Sequence, residues 1–262
     1  MKSEKIDLNN IQNTNDFEAV AKQVEGKIPA NAILLDKFLL PSRGKYYPGD
    51  IYVKKLTTLN IKNLSTINEK NANFILNSVI SSCVFGIDAN NILTGDKLWF
   101  IFYLRALTYD DLPFYIKHKC EHCENTVMLP FTSKNLKIDY LDKDVPEFVL
   151  DNGDKIKTKF PTIGSEAVVN RLKHSDDIIE SLNEDLLEFA VNIETINGKK
   201  VNLMQAYEYI TGMDAKSFSK LVNSLTEYMF TVRPVAEFKC PDCNEVVYEK
   251  VPFSPTFFLP KL

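Results

Sequence analysis

Two short segments, far apart in the chain, constrain its fold more than anything else in it. Residues 119–131 read KCEHCENTVMLPF and residues 239–253 read KCPDCNEVVYEKVPF. Each opens on Lys-Cys-x-x-Cys, runs on through a few β-prone residues and closes on a Pro-Phe pair, Pro130-Phe131 and Pro252-Phe253, the second copy being two residues longer. This is an internal repeat of a knuckle plus a strand. A C-x-x-C turn aims both sulfurs at one ion while its backbone amides face the thiolates, and two such turns supply the ligands of a tetrahedral, all-thiolate zinc site. We therefore expect Cys120, Cys123, Cys240 and Cys243 to share one structural Zn2+. Four thiolates around Zn2+ leave two net negative charges, which Lys119 and Lys239 are placed to offset.

Other readings of the cysteines stay open at this point. A redox C-x-x-C opens a helix after a strand, and neither pair precedes a helical pattern. A pair of knuckles without metal is the other alternative. The usual zinc-ribbon knuckle has Gly after its second Cys, whereas Glu124 and Asn244 stand here; Asn accepts a left-handed conformation more readily than Glu. His122 lies inside the first knuckle and is expected to face solvent, and Cys83 reads as a small buried apolar residue. If one ion takes all four sulfurs, the 116 residues between Cys123 and Cys240 form an insertion whose two ends the metal clips together.

Composition narrows the class. Five cysteines, four of them in these pairs, do not make a disulfide framework. No run approaches the ~20 apolar residues of a membrane span, and no apolar stretch follows the first lysines, so no membrane role and a cytoplasmic location are expected. The net charge is −4, and residues 166–194 carry eight acids against Arg171 and Lys173. That balance makes nucleic acid an unlikely partner.

Along the chain, residues 1–30 are a polar arm with one short helical pattern, DFEAVAKQV. Residues 31–118 begin as strands and tight turns punctuated by Pro41, Gly44, Pro48 and Gly49. They then turn helical, with Ile75, Leu76, Val79, Ile80 and Val84 at near-helical spacing and TGDKLWFIFYLRALTYDD apolar almost all round. Thr94 or Asp96 is placed to cap that second helix. Arg105 lies in its apolar middle and is expected to pair with Asp96, Asp110 or Asp111. Residues 119–162 carry the first knuckle and strands, including a hairpin closed by a two-residue turn at Asn152-Gly153. Residues 163–232 read as an acidic helical insertion with an apolar stripe of Ile178, Ile179, Leu182, Leu186 and Phe189. Residues 233–262 hold the second knuckle and an apolar tail. The expected class is α+β: a mixed helical and short-strand domain with a composite zinc-ribbon-like four-cysteine element and a helical insertion.

No G-x-S-x-G, H-E-x-x-H, G-x-x-x-x-G-K-[ST] or G-x-G-x-x-G occurs, so no enzyme is expected. The turn LPSRGKYYP at 40–48, the helix end LRALTYDD at 104–111, the C-x-x-C that follows and the closing CPDC and VPFSPTFFLP together resemble the T4-like bacteriophage base plate protein family. In that family a glycine often follows the tyrosine of the LR segment; Asp110 stands there in this chain. The resemblance implies a late, non-enzymatic tail protein, a baseplate hub subunit or hub assembly factor. Its partners would be other baseplate and tail hub proteins, with homo-oligomers compatible, and it would be found in the host cytoplasm during assembly or in the virion.

Two surfaces suit such contacts. Arg43, Tyr46 and Tyr47 of the turn are residue types enriched in binding hot spots, although the turn is as readily explained by intramolecular packing. Phe257, Phe258 and Leu259 sit, with Phe253, among prolines that oppose a helix, and suit either an extended segment in a partner's groove or packing back on the knuckle. The competing function is a zinc-ribbon nucleic-acid-binding or transcription-associated protein, favoured by Phe114, Tyr115, Lys117 and Lys119 and opposed by the net acidity. A thiol oxidoreductase is the enzymatic alternative.

Overall fold

A computed structural model describes residues 28–68, 70–144, 147–173, 182–251 and 255–259. Most of the polar arm expected over residues 1–30 lies outside these. The chain opens with β1 (Ile33–Leu34), β2 (Tyr52–Val53), α1 (Thr58–Leu64), α2 (Ala72–Cys83) and β3 (Val84–Phe85), the three strands forming one antiparallel sheet. Helix α2 buries Ile75, Leu76, Val79, Ile80 and Cys83, so the apolar stripe ends on Cys83. Val84, expected to continue it, is extended and pairs with Val53 instead.

The centre of the molecule is α3 (Thr94–Tyr109), which buries Trp99, Phe100, Ile101, Phe102, Leu104 and Arg105. Apolar residues on every side are what a helix covered on every side requires. Neither Thr94 nor Asp96 caps it. The cap position is Leu93, without a side-chain bond, and Asp96 instead accepts from the Ser42 amide at 2.8 Å and the Tyr47 hydroxyl at 2.7 Å. Burial holds the Asp96 carboxyl above its usual range, with the bonds from Ser42 and Tyr47 opposing it. At the far end Asp110 is left-handed, φ 53°. A glycine suits that conformation best, and Asp is among the few other residues that adopt it with little penalty.

Beyond α3 come β4 (Phe114–Lys119) and β5 (Thr126–Phe131), an antiparallel ribbon pairing Phe114 with Phe131 and Lys119 with Thr126. Next are β6 (Leu136–Asp139), β7 (Glu147–Val149) and β8 (Lys155–Thr158). Helices α4 (Ile163–Lys173) and α5 (Glu184–Ala190), strands β9 (Ile193–Ile196) and β10 (Lys199–Lys200), and helices α6 (Leu203–Thr211) and α7 (Ala215–Thr226) complete the segment between the knuckles. The chain closes with β11 (Thr231–Lys239), β12 (Val246–Lys250) and the single turn α8 (Pro255–Phe258).

Two hydrophobic clusters organise these elements. The larger gathers β2, α1 to α3, both cysteine hairpins and the tail. The second gathers Phe148, Leu150, Ile156, Val169, Leu187, Ala190, Ile193, Tyr207, Ile210 and Leu221 around the sheet β10-β9-β8-β7. The segment between the knuckles is therefore helical and β together. Its hairpin β9–β10 turns at Asn197 (φ 52°) and Gly198 (φ 74°), the Asn-Gly signal of a two-residue turn. Of the apolar stripe, Ile178 and Ile179 lie outside the described residues, and Leu182, Leu186 and Phe189 pack on the second cluster with Glu184, Asp185 and Glu188 facing outward. The structure is a mixed α+β fold.

Candidate metal centre

The two knuckles repeat each other bond for bond. In the first, the Cys120 amide donates to the Asn125 carbonyl and the Glu124 amide to the Cys120 carbonyl, both at 2.9 Å; in the second, Cys240 donates to Glu245 and Asn244 to Cys240, again at 2.9 Å. Each turn closes through a left-handed residue, Glu124 at φ 60° and Asn244 at φ 61°. The backbone requirement overrides side-chain preference, at a cost of ~1 kcal/mol or more for Glu. Both knuckles sit between antiparallel strands, and neither opens a helix.

These turns bring four sulfurs together. Cys120 Sγ lies 3.7 Å from Cys243 Sγ, Cys123 Sγ lies 3.9 Å from Cys240 Sγ, and all four fall within 4.8 Å of one another. A tetrahedron with metal–sulfur bonds of about 2.3 Å has edges of about 3.8 Å, so the spacing fits a single ion. Cys120 and Cys240 are fully buried, while Cys123 and Cys243 are partly exposed.

Electrostatics point the same way. Amide hydrogens of Cys123 and His122, with neighbouring thiols, pull the Cys120 thiol down to about 6 against its burial. Cys243 also receives an amide hydrogen, from Glu245, yet burial and its three sulfur neighbours push it up to about 12. Cys123 is raised too: the Asn125 amide lowers it, but burial and the sulfurs of Cys120 and Cys240 prevail. Four thiolates this close repel one another, and a cation among them is what lets all four ionise. The donor set can hold a metal ion.

Further contacts brace the hairpins against each other. The Asn125 amide group donates to Asp242 at 2.8 Å, knuckle to knuckle, and His118 on β4 meets Glu249 on β12 at 2.5 Å. His122 is exposed, as are Lys119 and Lys239. Cys83, fully buried beside Ser82 and Asn60, lies apart from the cluster.

The candidate contact residues divide. Arg43 is exposed, its guanidinium 3.6 Å over the Tyr140 ring, and Tyr46 is exposed with its hydroxyl donating to Asp144 at 2.9 Å. Tyr47 is 3% exposed; its hydroxyl donates to Asp96 and accepts from the Leu93 amide at 2.9 Å, tying the turn to the start of α3. The tail is not extended. Residues Pro255–Phe258 form a helical turn, which Pro255 can open because the first helical residue needs no amide hydrogen. Phe257 and Phe258 have no exposed area, so they are core residues and not a free surface; Leu259 is 51% exposed and Phe253 lies outside the described residues.

The anchor of this tail went unread in the sequence. Phe257 meets Phe102, Phe114 and Phe131 edge-on or tilted at 5.4–5.8 Å. Arg105, expected in an ion pair, instead donates from Nε to the Phe257 carbonyl at 2.8 Å and from Nη1 to the Leu112 carbonyl at 3.2 Å, its guanidinium 4.5 Å from the Phe257 ring. Its expected carboxylates are engaged elsewhere: Asp96 with Ser42 and Tyr47, Asp110 with Lys55, Asp111 with Ser133. Tyr109 adds a bond to the Phe258 carbonyl at 2.8 Å.

The arrangement can be set beside known proteins. No curated protein and no solved structure matches the chain. The family model described as T4 bacteriophage base plate protein matches residues 37–258, a span that runs from the 40–48 turn through both knuckles to the anchored Phe258. It covers most of the sequence, and the chain belongs to the T4 bacteriophage base plate protein family.

Proposed function

We propose that this protein is a non-enzymatic subunit of the phage baseplate hub, or an assembly factor for it, that acts through protein contacts and carries one structural Zn2+. The observation that carries the reading is the meeting of four sulfurs from two knuckles 116 residues apart in a base plate family chain. Cys120, Cys123, Cys240 and Cys243 would hold the ion, which supplies no reaction and joins two hairpins whose own pairing is short. The segment between them, residues 163–232 at its helical heart, is then a lobe held at both ends by the metal. Arg43, Tyr46 and Leu259 are the members of the candidate contact set left for partners.

In this reading the protein works in the host cytoplasm during assembly and then in the tail. A tagged pull-down from infected cells, with mass spectrometry of the bound proteins and of purified virions, tests it. Recovery of tail hub proteins supports the reading, and presence in virions separates subunit from assembly factor. Recovery of nucleic acid or polymerase in their place would overturn it. Elemental analysis of the purified protein tests the metal: about one zinc per chain is expected, lost in both Cys120→Ser and Cys240→Ser.

A further inference from the structure

The first described residues expose apolar surface that the fold leaves uncovered. Ile28 is 49% exposed, Ile33 47%, Leu34 58%, Phe38 71% and Leu39 45%. Strand β1 is the edge of its sheet, with β2 on one side, and Ile33 and Leu34 point to opposite faces of it. Both faces of that edge strand are thus open, within a stretch of twelve residues.

The chain that leads into this stretch carries a matching stripe. Phe17, Val20, Ala21 and Val24 stand at i, i+3, i+4 and i+7, the spacing of one helix face. Residues 1–27 lie outside the described structure, and residues 1–36 lie outside the family match.

We propose that the segment Asp16–Lys27 lays this stripe along the free edge of β1, against Ile33, Leu34, Phe38 and Leu39 of its own chain. Size argues for a tethered occupant. A separate protein needs about 800 Å2 on each side for a stable contact, more than a patch of four side chains offers. A segment joined to the patch by a few residues acts at an effective concentration in the millimolar range, so weak apolar contact suffices. Geometry permits it: twelve helical residues span about 18 Å, and the chain reverses just before the patch in a turn over residues 29–32, where the Ala32 amide donates to the Pro29 carbonyl at 2.9 Å. The inference concerns the isolated chain and does not rest on the baseplate reading.

Hydrogen exchange on the full chain, with mass spectrometric readout, tests it. In the parent protein, amides in 16–27 and in 33–39 should be protected together. The double variant Val20→Asp, Val24→Asp should raise exchange roughly tenfold in both stretches, while metal content and the exchange of β11 stay unchanged. The reciprocal variant Phe38→Asp should release 16–27 in the same way. Exchange of 16–27 at free-peptide rates in the parent would overturn the proposal. So would protection that disappears on dilution, which would assign the stripe to a second copy, or protection of 33–39 that arises only when other tail proteins are added.

Discussion

The two cysteine hairpins share a turn and differ in what supports them. The first, β4–β5, is a ribbon of two strands paired over six residues each. In the second, β11 is nine residues long, is the middle strand of β12-β11-β6, and lies against α3. Their buried sides also rest on different neighbours. Phe114 and Phe131 of the first hairpin pack on Phe257 of the tail, and Phe131 also meets Phe102 of α3 at 6.0 Å, whereas the approach to β11 crowds Gly95 at the start of α3, where an added Cβ would clash with the Phe230 carbonyl oxygen. A repeated knuckle thus supplies the same ligand geometry from two unequal platforms. The first hairpin should depend more on the proposed metal and on the tail, the second more on the helix beneath it.

Removing the proposed metal should separate them most clearly. With a strong chelator we expect Tm to fall by roughly 10 °C or more, and amide protection to be lost in β4 and β5 before β11. Simultaneous loss in both hairpins would erase the proposed difference. Phe257→Ala comes next, at about 3–5 kcal/mol, followed by Gly95→Ala at about 1–3 kcal/mol from overpacking. Denaturant titrations with exchange readout should place the first variant's effect on β4–β5 and the second's on β11. The reverse assignment would break the comparison.

Smaller changes sharpen it at the knuckles themselves. Glu124→Gly should stabilise by about 0.5–1 kcal/mol, since relief of the left-handed strain exceeds the added chain entropy of glycine. Asn244→Gly should be near neutral, because Asn already tolerates that conformation, and equal effects at the two sites would mean that the strain is not where φ puts it. The smallest effect concerns β6–β11, where the Arg233 guanidinium grips Asp139 with two bonds of 2.7 Å and holds its carboxyl below the usual carboxylate range. A depressed folded pKa gives stability that is present above the unfolded value, about 3.9, and is lost as pH falls through the folded one. Arg233→Ala should therefore flatten the acid side of the stability profile slightly, the pair being exposed. Urea midpoints of both proteins from about pH 5 downward measure it.

Much of this was legible in local sequence. The meeting of the four cysteines followed from two C-x-x-C spacings, and α2 from its spacing up to Val84. The hairpin near Asn152-Gly153 was legible from its turn residues, but its loop is three residues long and not two: Leu150 pairs with Asp154, and only Gly153 is left-handed. The hairpin at Asn197-Gly198 carried the same turn signal, but its strands are four and two residues long and were hidden between helical patterns. Asp96 looked like a helix cap because a carboxylate in a first turn usually serves the helix; here the Ser42 amide and the Tyr47 hydroxyl, about fifty residues upstream, claim it.

What the sequence by itself determined are the features whose cause lies within a few residues: the knuckle turns, the cysteines they carry, the strand pairs closed by tight turns and the apolar character of α3. What only the tertiary structure decided is which side of an apolar segment faces inward. Phe257 and Phe258 read equally well as a partner's anchor or as core, and Arg105 as one half of an ion pair. The choice fell when residues 152 positions apart met and the Phe257 carbonyl reached the buried guanidinium. Burial depends on surface that other parts of the chain bring, and no local pattern records which parts those are.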